Sequence, residues 1–429
     1  MAGTRNSIRY NSVGVFLSES PAYDPESQEI RFFNRCQSVD LNLSITRQNV
    51  QHIGSQNFLD RKIVTESDIS FDINYLITDG YEENVIGLNV EQNPKVNKIG
   101  TVHNNIKEDK NLYMVIGEEQ KDLTGYTNQQ DGYRGLDLLA LGNCYVTNYS
   151  ISASVGDLAK ASVSMKASNI NYKCLGLKEK TTSSFVKFFD EMSAVITEDG
   201  SSLIFENEEP VGLEEKFQTF EVAGADIASL DLENFGEKNT TNGIIFEPIM
   251  YNSTMSAIPP GGINVKIRNL DHGGPIISEN EEDSCIKGTA NIQSFNIDVP
   301  FDREDLYGFQ SMHVYGRKLK FPQLGTISFS LLLGAFKRGE FKDIFKDDKE
   351  YEIEINFNNQ CFFTCKPLIS KDAKIKLLIN NAKLDGYSMN QAIGSPGTVD
   401  CNFSFGISTN QGLYMSGNYF KERTSECHT

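Results

Sequence analysis

One block of this chain, Ser38 to Tyr75, occurs a second time some 256 positions further on, and that repetition limits the fold more than any other feature. In the first block Val39, Leu41, Leu43 and Ile45 alternate with Asp40, Asn42 and Ser44, and Ile69, Phe71, Ile73 and Tyr75 alternate with Ser70, Asp72 and Asn74. A period of two puts one set on a buried face and the other toward water, the pattern of a half-buried strand. Gln293-Ser294-Phe295-Asn296-Ile297-Asp298-Val299 answers Gln37-Ser38-Val39-Asp40-Leu41-Asn42-Leu43, and Arg317-Lys318-Leu319 answers Arg61-Lys62-Ile63. After a shift of two residues, Ile327-Ser328-Phe329-Ser330-Leu331 answers Ile69 to Ile73. A second pair of blocks, Tyr149-Ser150-Ile151 with Val155-Gly156 and Tyr387-Ser388-Met389 with Ile393-Gly394, lies 238 positions apart. Alternation alone does not keep Gln-Ser, Arg-Lys and Tyr-Ser in one order, so the chain reads as one β-domain copied in tandem.

The expected fold class is therefore mainly β, two tandem β-sandwich domains with short flanking helices. Residues 1–175 form the first domain with an N-terminal arm, 176–249 an inserted or linking segment, and 250–429 the second domain with a C-terminal tail. The arm, with Pro21 and Pro25, is expected to fray or to add a strand to a neighbour. Helices are expected at Glu82–Leu88, over Ser183–Ile196 with a core-facing Phe185, Phe188, Phe189 stripe, and over Gly339–Asp347. Strands are expected at Leu112–Ile116, Tyr351–Phe357 and Lys374–Ile379, with a hairpin arm from Asn143 to the Gly156-Asp157 turn and a return over Ala159–Ala167. Residues 175–290 show no counterpart in the first copy, and the tail after Asn410 reads as polar and extended. In both copies a polar loop joins the repeated strands. It is too long for a compact hairpin and is a candidate arm toward another subunit, with Arg61, Lys62, Arg317 and Lys318 as its charges.

Length and composition allow two or three soluble domains with cores of their own, 39% hydrophobic and 10% aromatic. No apolar run approaches the ~18 residues that span a bilayer, and MAGTRNSIRYNS lacks the apolar segment of a signal peptide. The expectation is a protein made in a cytosol that does not bind membranes. Eight cysteines without a CxxC pair predict free thiols. Cys361 and Cys365 read as buried, and Cys427-His428 as a frayed end rather than a metal site. The net charge of −18 argues against ordinary nucleic-acid binding, which needs Lys and Arg to displace counterions. Such charge either keeps the protein soluble or makes a surface that nucleic acid passes without sticking.

Nothing assembles into a catalytic site. The five histidines do not pair at ligand spacing, and there is no GxSxG, no P-loop and no GxGxxG after a strand. No catalytic, cofactor or metal residue is assigned, and a structural role is expected. A duplicated domain suits a closed ring, where fusing neighbours pairwise halves the number of chains and keeps the ring of domains.

The run from Arg47 through Ile69-Ser70-Phe71-Asp72-Ile73-Asn74-Tyr75 and Asp79-Gly80, with Gly142-Asn143-Cys144-Tyr145-Val146-Thr147-Asn148-Tyr149-Ser150-Ile151, resembles major tail tube proteins of tailed bacteriophages. The resemblance lies in pattern, covers 37–170 and more weakly 293–408, and points to long tails whose tube domain is duplicated. It implies sandwich domains whose inner strands join into a continuous barrel. It also implies trimeric, pseudo-sixfold rings stacked into a conduit for DNA ejection, located in the virion tail and assembled in the host cytoplasm. Partners implied are further copies of the chain, a tape measure protein and DNA in the lumen, and tail terminator and tail-tip proteins. Under it Asp40, Asn42, Asp72, Asn74, Asn296, Asp298, Ser328 and Ser330 face water or the lumen, and the basic pairs lie between rings. A low-copy hub or terminator of the same fold, and a carbohydrate-binding β-protein, are the alternatives.

Overall fold

A computed structural model gives the architecture and describes residues 13–19, 29–33, 35–54, 56–63, 68–91, 101–103, 110–116, 137–174, 245–247, 257–269, 275–277, 292–307, 314–332, 349–358, 374–391, 397–408 and 411–418. The first half runs β1 (Val13–Glu19), β2 (Glu29–Phe32), β3 (Cys36–Ser44), β4 (Arg47–Val50), β5 (Asp60–Ile63), β6 (Asp68–Leu76), the short helix α1 (Tyr81–Ile86), β7 (Lys110–Ile116), β8 (Asp137–Ser154), β9 (Lys160–Ala167) and β10 (Asn169–Cys174). After β11 (Ile245–Glu247) the strands return in the same order. They are β12 (Ile263–Asn269), β13 (Pro275–Ile277), β14 (Ile292–Pro300), β15 (Arg303–Tyr307), β16 (Val314–Leu319), β17 (Gln323–Leu332), β18 (Tyr351–Phe357), β19 (Ile375–Asn390), β20 (Thr398–Ile407) and β21 (Leu413–Gly417).

Eight of these strands make one antiparallel sheet in the order β3-β6-β9-β8-β14-β17-β20-β19. The first four come from one half and the last four are their equivalents from the other. Ile69, Phe71, Ile73 and Tyr75 of β6, and Ile327, Phe329 and Leu331 of β17, are buried on one face, as their alternation requires. Two further sheets cover that face, β11-β2-β1-β7-β8-β10 in the first half and β13-β12-β18-β19-β21 in the second. Phe329 and Phe403 on neighbouring strands of the large sheet meet edge-on at 6.1 Å, and between the layers Tyr351 meets Phe403 at 5.6 Å and Phe33 meets Tyr75 at 5.1 Å. Each such ring contributes about 2–3 kcal/mol by leaving water.

The long strands β8 and β19 belong to both layers. Residues 137–144 of β8 pair with β7 and β10, and 145–154 pair with β9 and β14. At the crossing Asn143 takes a left-handed backbone (φ 52), and Asn381, its equivalent in β19, does the same (φ 56). Asn is the residue other than Gly that best tolerates that region. A β-bulge follows at the same place in each copy, between Val146 and Asn148 and between Leu384 and Gly386. A bulge bends its strand and sharpens the local twist, which carries the chain from one layer to the other.

Several expectations change. Val13 to Glu19, ahead of the arm expected at Pro21 and Pro25 (which lie outside the described residues), form a strand that pairs along its whole length with Ile116 to Lys110, in the way Ile263 to Asn269 pair with Phe357 to Tyr351. The stretch 263–269 therefore has a counterpart in the first copy; the match lies in pairing and not in side-chain identity. The loop between the repeated strands is itself an antiparallel hairpin, β4–β5 in one copy and β15–β16 in the other. Leu413–Gly417 is a buried strand rather than a polar tail, and β8 and β19 are much longer than expected. The helix near residue 82 forms. The helices expected over 183–196 and 339–347, the thiols Cys361 and Cys365, and Cys427-His428 lie outside the described residues.

Candidate functional site: sheet edges, polar face and hairpins

The eight-stranded sheet ends in two edges. β3 pairs only with β6, and Lys383–Asn390 of β19 pair only with β20, among the described residues. Within the chain, the equivalents of these edges are joined to each other. β14 (the second β3) pairs with β8 (the first β19) through Val299–Tyr149, Asp298–Ser150, Ile297–Ile151 and Asn296–Ser152. At that internal junction Ile297, Tyr149 and Ile151 are buried, none more than 1% exposed. Their edge equivalents Leu41, Tyr387 and Met389 are 37%, 53% and 48% exposed. Val39 and Leu43, read from sequence as buried, are only half-buried because β3 has a neighbour on one side alone.

The opposite face of this sheet is polar across all eight strands except at Leu324 of β17, which is 67% exposed there. One row crosses all eight strands as Ser38, Asn74, Ser162, Ser150, Asp298, Thr326, Ser404 and Lys383. Asp40 stands opposite Asp72, Asn42 opposite Ser70, Asn296 opposite Ser328, and Ser294 opposite Ser330, all on this face. The eight strand positions singled out in the sequence thus lie together. Asn148 Nδ2 donates to Asp298 Oδ1 at 2.7 Å across the junction of the halves, and Asn74 Nδ2 donates to Ser38 Oγ at 2.9 Å. Asp40, Asp68, Asp72, Asp298, Asp385 and Asp400 outnumber Lys160, Lys166 and Lys383 here, and Lys166 is engaged by Asp68 at 2.9 Å.

The two hairpins share one register: Asn49 faces Arg61 as Asp305 faces Arg317. Arg61 Nε donates to Asn49 Oδ1 at 3.1 Å, and Arg317 Nε meets Asp305 Oδ1 at 3.3 Å. Their surroundings differ. In β15–β16 the Arg317 and Arg303 guanidinium groups lie over the Tyr145 ring of the first half, 4.4 and 5.1 Å from its centre, and Arg317 Nη2 donates to Ser168 Oγ at 3.0 Å. Arg317, expected from sequence to reach another ring, is turned onto its own chain, whereas Lys318 is exposed. In β4–β5, Arg61 and Lys62 are exposed, as are Val50, Ile53, Phe58 and Leu59 around the tip. Where the first half has Tyr145, the second has Lys383: Tyr145 pairs with Lys166, and Lys383 with the equivalent Ser404.

Sequence reading missed a buried acidic cluster under the sheet. α1 starts after Gly80 (φ 89) and ends at Gly87 (φ 102), left-handed positions that turn the chain sharply at both ends. This places Glu82 and Glu83 wholly inside. Tyr75 and Tyr149 donate their hydroxyls to Glu83 Oε1 at 3.1 and 3.2 Å. Glu82 meets Arg35 at 3.1 Å and accepts from Thr78 Oγ1 at 3.1 Å. Burial outweighs these partners and pushes Glu82 up to about 8 and Glu83 up to about 7. The polar run TDGYEEN carries no signal that its glutamates lie inside, which is why periodicity does not find them. Among the described residues no group of three or more His, Cys, Asp or Glu is arranged to hold a metal.

No protein-family model matches this sequence, and no curated protein does. Among solved structures the chain is similar to the baseplate of the anti-feeding prophage, at 8% identity and TM-score 0.26 over 41% of this chain and 100% of that one. It is similar to the SPP1 tail tube, at 11% identity and TM-score 0.26 over 48% of this chain and 99% of that one. It is likewise similar to an Hcp protein, at 13% identity and TM-score 0.22 over 36% of this chain and 98% of that one.

Proposed function

We propose that this chain is the structural subunit of a tail tube of the long-tailed phage kind, three copies closing head to tail into a ring and rings stacking into a conduit for DNA. One observation carries the reading: the two open edges of the eight-stranded sheet are the two halves of a junction the chain already makes inside itself. Setting β19 of one copy against β3 of the next in the internal register puts Tyr387 opposite Leu43, Ser388 opposite Asn42, Met389 opposite Leu41 and Asn390 opposite Asp40. The three apolar side chains left exposed at the edges then meet across a new pair of strands. An unprotected apolar edge is a liability in a monomer and an interface in a ring. Because the joined edges are different surfaces, the contact is head to tail and closes only as a ring.

The polar face would then line the lumen. Its serines and asparagines carry no net charge, and its excess of aspartates repels phosphate at short range, so DNA slides without adhering. Residues 1–175 and 250–429 would be the two tube domains with 176–249 between them. A tape measure protein would occupy the lumen during assembly, with terminator and tip proteins at the ends. Electron microscopy of the purified chain, with its mass in solution, tests the proposal. Threefold rings or stacked discs with a central hole are expected, and a monomer at high concentration sinks it. Rings that never stack favour a hub or terminator of the same fold.

A further inference from the structure

The two outer sheets are built from equivalent strands and differ on the face turned away from the core. β1 pairs with β7 as β12 pairs with β18, and Ala140 of β8 stands to Tyr113 as Leu378 of β19 stands to Glu354. On the core side the copies agree: Val15, Leu17 and Leu112 in one, and Val265, Ile267 and Ile353 in the other, pack under the large sheet. On the far side Phe16, Tyr113 and Val115 stand where the second copy has Lys266, Glu354 and Asn356. There the second copy makes ion pairs, Lys376 with Glu354 at 3.1 Å and Arg268 with Glu352 at 3.3 Å. The sequence carries the same contrast. Ile353-Glu354-Ile355-Asn356-Phe357 alternates, whereas Val15-Phe16-Leu17, Leu112-Tyr113-Met114-Val115-Ile116 and Leu138-Leu139-Ala140-Leu141 are apolar without a break. Continuous apolar strands belong to a sheet covered on both faces.

Phe16, Tyr113, Val115 and Ala140 are no more than 1% exposed. The described strands all have places in the three sheets or the two hairpins, and α1 packs into the core with Val85 and Ile86, so the cover is a stretch of chain between the described residues. Position selects which stretch. Among the described residues β10 pairs only with β8 and β11 only with β2, at opposite edges of the sheet β11-β2-β1-β7-β8-β10. Residues 175–244 join these edges and must cross the width of the sheet, about 24 Å over five strand spacings. The core fills the inner face, which leaves the outer one. Residues 20–28 and 117–136, by contrast, return to neighbouring strands and have no need to cross. Composition agrees with position: Phe185, Phe188, Phe189 and Met192 recur at helical spacing, and an acidic run from Glu206 to Glu215 follows. The first set suits an apolar sheet face, the second suits water.

We infer that the outer face of the first outer sheet is a docking surface for residues 175–244 of the same chain, with the Phe185–Met192 stripe laid across Phe16, Tyr113 and Val115. In the ring proposed above this layer would stand on the outer circumference, away from the polar face, one to each copy. The test uses the full-length chain with Phe32→p-benzoylphenylalanine, because Phe32 is half-buried and lies 5.1 Å from Phe16 on the same face. Irradiation and mass spectrometry are expected to find crosslinks within one chain to residues 183–196. Mixing isotopically light and heavy chains separates these from crosslinks between chains. Crosslinks only to other segments, or only between chains, overturn the assignment. Limited proteolysis with a nonspecific protease gives a second reading. Residues 175–244 should resist cutting in the unmodified chain, and Phe188→Asp with Phe189→Asp should be cut there about tenfold faster or more. Glu214→Gln with Glu215→Gln should be cut at the unmodified rate. Rapid cutting of the unmodified chain, or an equal rate in the Phe variant, overturns the cover. Both readings are made on single chains, so failure to form rings leaves the cover standing and a failed cover leaves the ring standing.

Discussion

Tyr149 and Tyr387 occupy one position of a repeated strand, and Tyr149 is wholly buried whereas Tyr387 is 53% exposed. The difference is one of neighbours: β14 lies beside Tyr149, and no strand of the described chain lies beside Tyr387. Truncating the two therefore has opposite consequences. Tyr149→Ala opens a cavity under α1, orphans a bond to Glu83, and is expected to cost about 3–5 kcal/mol of folding stability. Tyr387→Ala is expected to cost far less stability, under about 1.5 kcal/mol, and to abolish ring formation, as is Leu41→Asp on the other edge. Denaturant unfolding and solution mass separate the effects. Ring formation by Leu41→Asp at the ordinary concentration would mean that β3 is not an interface.

How the buried acids titrate gives the second expectation. Glu82 and Glu83 are pushed up to about 8 and about 7 by burial, well above an exposed glutamate. A carboxyl raised on folding binds its proton more tightly in the native state. Its stabilising effect is complete below the unfolded value near 4.5 and is lost as pH rises through the folded values. The melting temperature should thus fall from about pH 4.5 to about pH 8 and level off above it. Glu83→Gln keeps an oxygen to accept from Tyr75 and Tyr149 and removes the charge, so it should flatten that fall. An unchanged slope in this variant would assign the pH dependence to other groups.

The repeat, the mainly-β class and the faces of β6, β9, β14, β17 and β20 are legible in the sequence because each strand there is flanked on both sides, and period-two burial follows directly. Phe71 and Phe329 are inside and Asp72 and Ser328 are not. Legibility fails where burial depends on partners far along the chain. Leu41 reads like Phe71, yet lies at an edge. Val13 to Leu17 read only as a short apolar run until Lys110 to Ile116 are set beside Val13 to Glu19. Glu83 looks like surface until two tyrosines from different strands converge on it. The matched Arg61 and Arg317 cannot be told apart by their own neighbours, because the difference lies in Tyr145 and Lys383, which belong to another repeated block.

The polar face supplies a third expectation, about charge rather than stability. Asp40, Asp72 and Asp400 lie on this face and take no part in the bond that Asp298 accepts from Asn148 across the junction, so changing these three to Lys should leave ring assembly intact. It reverses the sign of the surface proposed to face DNA. Duplex DNA should then be retained by the tubes at low salt and released as salt rises, with a log–log slope that counts the phosphates neutralised. The unmodified protein should retain none. Equal retention by both would show that this face does not meet nucleic acid.

The last expectation concerns the corner where each long strand passes from one layer to the other. Asn143 and Asn381 both adopt the left-handed region, and the bulge that follows them falls at equivalent positions. A β-branched side chain there sets its Cβ against the following carbonyl and costs about 1–2 kcal/mol, whereas Gly fits without that clash. Asn143→Val and Asn381→Val should each lower the unfolding midpoint by a similar amount, and the glycine variants should lower it little. The two corners belong to one repeated architecture, so their costs should agree even though their neighbours differ, Cys144 following one and Ala382 the other. A valine accepted at one corner and not at the other would mean that the two strands turn for different reasons, and the equivalence of their downstream edges, on which ring closure depends, would lose its structural basis.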